Sequence, residues 1–279
     1  MASFIRAYEL ILQPDNGLAT ILFQDRSNRG LGIDFEIEKT SDSASNTATI
    51  KIYNPNEETI ASIGRGDSIQ LSAGYHDDIS VIVVGTVTET FASVDGTDTL
   101  IEINMLEHLT DTSMNETVSG FPTNIQLIDK IVSFIKANVK TASSANVYFI
   151  DQIKNYNWSV ILYGNPFVLL TEYLSIINYG YYVSNGVLTI YKIGFALKDS
   201  SILINSTNGM IGSPKKITKK DGKTSSQGIE VRSLLNFNLV PGRLVTIESR
   251  EVSGTHTIDS VNFKGNSVQG DWFCDVRIF

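Results

Sequence analysis

The chain has 279 residues, 42% hydrophobic and 19% charged, which is enough apolar material for one large or two medium domains and excludes global disorder. A formal net charge of −8 and a pI of about 4.9 exclude the basic surface that grips nucleic acid. A single cysteine, Cys274, excludes an internal disulfide framework and a multi-cysteine metal site, and fits a reducing cytoplasm.

Residues 1–6 lack the basic start and long apolar run of a secretory signal, and no apolar stretch is long enough for a bilayer span, so no membrane association is expected. From Phe4 to about Leu109 the pattern is mainly strand. Residues 33–38 and 48–53 alternate apolar and polar at period two, the mark of sheets with one buried face, and polar residues 42–46 connect them as a hairpin. Residues 54–58 start a short helix with Glu57 and Glu58 at its positive end, and Gly64 ends it. Strands resume over 68–75, 79–91 and 99–106, with Asp95-Gly96 turning between the last two.

The middle reads differently. Thr123 and Gln126 form a capping-box pattern ahead of a helix over 124–138, with Ile128, Ile131, Val132 and Ile135 on one face. A second helix starts at Asn165-Pro166, buries Leu169, Leu170, Tyr173, Leu174 and Ile177, and stops near Gly180. Two strands flanking Asn185-Gly186 then predict a hairpin. Residues 213–227 read as a flexible loop by composition, carrying Lys215, Lys216, Lys219, Lys220 and Lys223. It is either a plain mobile surface loop or one that orders against an acidic partner subunit. Strands return from Ile229, and the final one places Trp272, Cys274, Val276 and Ile278 on one face.

The predicted fold class is therefore mainly β with a small α+β middle: two small antiparallel β-barrels flanking a helix–helix–hairpin region. The expected divisions are a barrel over 1–112, the α+β middle over 113–212, the lysine-rich loop over 213–227 and further barrel strands over 228–279. A faint internal echo supports two barrels: Gly66-Asp67-Ser68-Ile69-Gln70-Leu71 matches Gly242-Arg243-Leu244-Val245-Thr246-Ile247 in glycine position and alternation.

Catalytic patterns are missing. His76 lies in a polar turn, His108 follows a strand and His256 sits between threonines, none at metal-ligand spacing. There is no nucleophile elbow and no phosphate-binding glycine loop. Cys274 falls on a buried face. The carboxylate pairs Glu36/Glu38, Glu57/Glu58 and Glu89/Glu102 are better read as solvated faces than as a glycosidase dyad. No enzyme activity, cofactor or metal is expected.

The ordered set of residues 46–54, 66–75 and 84–87, then Leu234-Leu235, Leu239-Val240-Pro241-Gly242 and Gly270-Asp271-Trp272, resembles the baseplate hub proteins of contractile-tailed phages (late control protein-like, tail hub family). The resemblance implies a homotrimer with two related barrels per protomer in a pseudo-sixfold ring around the DNA lumen. That ring would join the sixfold tail tube to the threefold central spike. The implied partners are further copies of the chain, a tail tube or tube-initiator protein and the central spike, with the tape measure protein as an additional candidate. DNA would be only the transiting genome, and an acidic bore would suit it as well as plain solubility explains the charge. The implied location is the virion tail baseplate, after assembly in host cytoplasm. The other readings are a distal tail protein of a non-contractile phage, and a carbohydrate-binding adhesin-like β protein using Tyr179, Tyr181 and Tyr182 as an aromatic platform.

Overall fold

The computed structural model describes residues 5–14, 17, 20–25, 30–40, 46–76, 78–107, 113–139, 142, 144–147, 155–193, 201–221 and 224–279. The first part of the chain supplies β1 (Arg6–Gln13), β2 (Thr20–Asp25), β3 (Ile33–Thr40), β4 (Thr47–Tyr53), α1 (Glu57–Ser62), β5 (Ser68–Tyr75), β6 (Asp78–Asp95) and β7 (Asp98–Leu106). The middle supplies β8 (Met114–Val118), α2 (Asn124–Asn138), β9 (Ser144–Val147), β10 (Val160–Gly164), α3 (Pro166–Ile176), β11 (Tyr179–Ser184) and β12 (Val187–Lys192). The last part supplies β13 (Ile202–Asn205), β14 (Lys215–Asp221), β15 (Thr224–Leu234), β16 (Leu244–Glu248), β17 (Ser253–Thr257), β18 (Ser260–Asn266) and β19 (Trp272–Ile278). The molecule is mainly β, with three small helices among the described residues, as the sequence predicts.

The two end regions are not separate. Eleven strands form one sheet in the order β14-β15-β19-β18-β3-β4-β7-β6-β5-β1-β2. Its joint is the antiparallel pairing of β18 with β3, from Ser260↔Thr40 to Asn266↔Asp34. On β3 the predicted alternation holds: Ile33, Phe35 and Ile37 are buried in a core shared by both ends of the chain. The described strands do not close into barrels by strand pairing. Side chains bridge from β1 and β5 to the β18–β19 region instead. Arg6 donates to the carbonyls of Asn266 and Gly270, Tyr8 to that of Leu31, and Trp272 Nε1 to that of Gly74 at 3.1 Å. Trp272 also meets Phe35 edge-on at 5.4 Å.

The internal echo has a backbone counterpart. The Gly66 amide donates to the Val87 carbonyl, and the Val87 amide returns to Asp67. Gly242, Ile258 and Arg243 repeat that exchange at the other end of the chain. Both glycines have positive φ, 92° and 79°, which lets the chain enter the strands β5 and β16 through a tight turn.

The lysine-rich stretch is a correction. Residues 215–221 form β14, paired with β15 from Lys215↔Glu230 to Asp221↔Thr224. Composition suggested a loop because this stretch has almost no apolar alternation. A hairpin arm with two solvated faces needs none, since the backbone ladder supplies its hydrogen bonds. Residues 215–221 are therefore part of the main sheet.

The middle module has its own core, built around Leu127, Ile131, Ile135, Leu162, Leu170, Leu174, Leu188 and Ile190. The capping box at Thr123 and Gln126 and the proline at the start of α3 are both present. Asn185 and Gly186 adopt φ of 55° and 77°, as a two-residue hairpin turn requires. Two strand pairs went unpredicted: β8 with β10, and β9 alongside β12.

Module and sheet meet at a buried polar cluster. The Lys39 ammonium, on β3, donates to Glu107 Oε1 at 3.3 Å, to Ser184 Oγ at 2.7 Å and to Asn185 Oδ1 at 2.7 Å. Glu107 also accepts from Asn46 Nδ2 and from the amides of Val84 and Asn185. Both charged side chains are essentially inaccessible, at 1% and 0% exposure. Burial pulls the Lys39 pKa down, and the Glu107 carboxylate acts in the opposite direction.

Candidate interaction surfaces

Among the described residues no group of three His, Cys, Asp or Glu side chains could hold a metal ion. His76 lies in a turn after β5, His256 lies on β17, and His108 falls outside the described residues. Cys274 is fully buried on β19, and that desolvation pushes its thiol up to about 12. For two of the three carboxylate pairs the geometry argues against a dyad. Glu36 is tied to Lys264 at 2.7 Å and to Asn262, which hold its carboxyl below the usual range. Glu89 and Glu102 are not directly opposite, because a bulge between Val87 and Glu89 sets Glu89 against Asn104 and Phe91 against Glu102. A groove of about 770 Å³ over β3, β4 and β18 is lined by Glu36, Lys51, Glu102 and Lys264. Four of its charges pair off as Lys51–Glu102 at 3.1 Å and Lys264–Glu36, and Asp34 accepts from the Tyr53 hydroxyl at 2.7 Å, as on a solvated sheet face.

Two surfaces remain. One is the edge of the main sheet at β14, which has no strand beyond it among the described residues; β2 is the edge at the other end. Lys215, Lys216 and Thr218 are exposed there, Lys219 and Lys220 lie further along the strand, and Lys223 falls outside the described residues. Behind this edge the sheet is knitted by ion pairs. Arg232 grips Asp275 with two hydrogen bonds of 2.7 and 2.9 Å, and Arg277 donates to Glu230 at 2.9 Å. An unfilled strand edge presents amides and carbonyls to any chain that can lie beside it, and lysines on it repel unsuitable strands.

The other surface was not anticipated. Among the described residues the β8–β10 ribbon pairs with no further strand. Val160 and Leu162 point into the module core, while Ile161 and Tyr163 face outward at 66% and 72% exposure. Phe121 and Trp158 nearby in sequence are exposed as well. The run Val160-Ile161-Leu162-Tyr163 was the available signal, since apolar residues on both faces mark a strand that can be covered on both. By contrast Tyr179, Tyr181 and Tyr182 are all buried, so they pack the hairpin and form no sugar platform. No described helix is long and apolar enough to cross a membrane.

No family model and no curated protein matches the chain. Solved structures do. The prophage MuSo2 43 kDa tail protein from Shewanella oneidensis superposes with a TM-score of 0.63 at 10% identity, covering 98% of each chain. The tail protein from Neisseria meningitidis MC58 gives 0.60 at 10% identity over 97% of this chain and 96% of its own. An E. coli component of the type VI secretion system, described as similar to the T4 bacteriophage tail proteins gp27 and gp5, gives 0.62 at 11% identity over 95% of this chain and 75% of its own. The resemblance read from the sequence therefore holds at the level of fold: nearly the whole chain is built like phage tail proteins.

Proposed function

We propose that this chain is a structural subunit of a phage tail baseplate, a homotrimeric hub that joins the sixfold tail tube to the threefold central spike around the DNA lumen. The observation that carries the reading is the fold shared, almost end to end, with three tail or tail-like proteins. Two features of the chain agree with it. The repeated turn and strand exchange at Gly66 and Gly242 gives one protomer two similar elements, which is what matching three copies to a sixfold tube requires. The lysine-bearing β14 edge is placed to receive an acidic partner strand, and a second copy of a chain with net charge −8 is such a partner. Tube-initiator, spike and tape measure proteins are the remaining partners in this reading, and the assembled virion tail is its location.

Light scattering on the purified chain, alone and mixed with tube and spike proteins, tests it. The expected species contains three copies, and electron micrographs of the particle are expected to show threefold density at the tube–spike junction. A strict monomer at high concentration that also ignores tube and spike proteins overturns the reading. Lys215→Glu with Lys216→Glu is expected to weaken assembly while leaving unfolding within about 0.5 kcal/mol of the parent, as exposed substitutions do. Urea titration checks the second half.

A further inference from the structure

The molecule contains two hydrophobic cores with no residue in common, one in the main sheet and one in the middle module. Among the described residues, no strand of the main sheet packs extensively against an element of the module. A polar cluster around Lys39 and Glu107 joins them among those residues. An interface that is small and polar is where rigid bodies in one chain move against each other. A buried ion pair also differs from a buried apolar contact in what opening does to it. Separation returns both charges to water and recovers the solvation that docking removed.

We propose that Lys39, Glu107, Asn46 and the Ser184-Asn185-Gly186 turn form a latch, and that the β8–β12 module undocks from the sheet as a folded unit when the latch opens. The geometry favours a single release point. The β11–β12 turn is the part of the module that enters the sheet. Its Asn185 contributes three of the bonds: it accepts from Lys39, its amide donates to Glu107, and its side chain donates to the Val81 carbonyl at 2.9 Å. Asn46 adds a fourth crossing to the Val183 carbonyl at 2.7 Å. All of these bonds are lost together if the turn withdraws, and none of them belongs to the ladders or helices that hold either module. The latch thus sets both the docked orientation and the ease of leaving it. A partner that binds the undocked form better than the docked form would shift the balance by its difference in affinity.

Native-state hydrogen exchange on the full chain reads the latch directly. The Asn185 amide, which donates across to Glu107, reports opening, while amides inside α2 and β4 report the integrity of the two modules. In the parent protein the Asn185 amide is expected to exchange faster than those interior amides. Lys39→Met leaves a carboxylate buried without its cation, and should speed exchange at Asn185 by about 100-fold or more. The interior amides should change by no more than a few fold. Ser184→Ala removes one of the three acceptors around the ammonium, and should give the same pattern at about tenfold. That variant keeps the test open if Lys39→Met does not fold. Uniform acceleration of all these amides in Ser184→Ala, or an Asn185 amide in the parent as slow as those of α2 and β4, overturns the latch. Neither outcome depends on whether the protein is a hub.

Discussion

Cys274 illustrates what burial does to a side chain that fills space. It is fully buried between β15 and β18, and its thiol is held at about 12 against an ordinary 9.0. Below pH 9 the thiol is neutral in both folded and unfolded chains. Between about 9 and 12 only the unfolded chain ionises, so this residue's contribution to stability falls as pH rises through that window. The slope approaches about 1.4 kcal/mol per pH unit and should be missing in Cys274→Ala, as urea titrations at stepped pH will reveal. A thiol reagent at pH 8 should leave the native protein unlabelled and react only after denaturation. Gly265 makes a second argument at this scale. A methyl group there would run into the Phe35 ring. Gly265→Ala is therefore expected to cost about 1–3 kcal/mol, read as a lowered urea midpoint with an unchanged slope.

Among the elements, the best-predicted were those whose signals are local. The capping box at Thr123 and Gln126, the proline at the start of α3 and the Asn185-Gly186 turn each depend on a few neighbouring residues, and each is where the sequence puts it. Removing the hydroxyl cap in Thr123→Ala should lower stability by about 1 kcal/mol, measurable by circular dichroism during thermal unfolding. The elements misread or missed have partners far away in the chain. β14 looked like a loop because nothing within it says that β15 will supply its hydrogen bonds. β8 and β10 form one ribbon, yet α2 and β9 lie between them in the chain. The candidate surface was legible only in part. The lysines were singled out from composition, but their position on an unfilled edge follows from the sheet order, which no local pattern encodes. The outward-facing Ile161 and Tyr163 were overlooked because strand alternation was sought as apolar against polar, and here both faces are apolar.

At the scale of the molecule, the sheet is assembled from opposite ends of the chain, and one side chain does much to hold those ends. Trp272 is 5% exposed, packs on Phe35 and hydrogen-bonds to Gly74, while Arg6 lies over its ring at 5.7 Å. Trp272→Ala should cost about 3–5 kcal/mol, and should loosen β1 and β5 as well as β19. Exchange at the Tyr8 and Leu71 amides would detect that remote effect. The pairing of β3 with β18 has a further consequence, which concerns time. A ribosome adds about 5–20 residues per second, so β3 emerges many seconds before the strand that will cover its edge. Throughout that interval Ile33, Phe35 and Ile37 border an empty lane of backbone donors and acceptors. Contacts this distant in sequence also close slowly once both strands exist. The nascent chain is thus at greatest risk of pairing with the wrong neighbour while it is still being made. A copy has no finished sheet to offer any partner until translation has delivered its last strands.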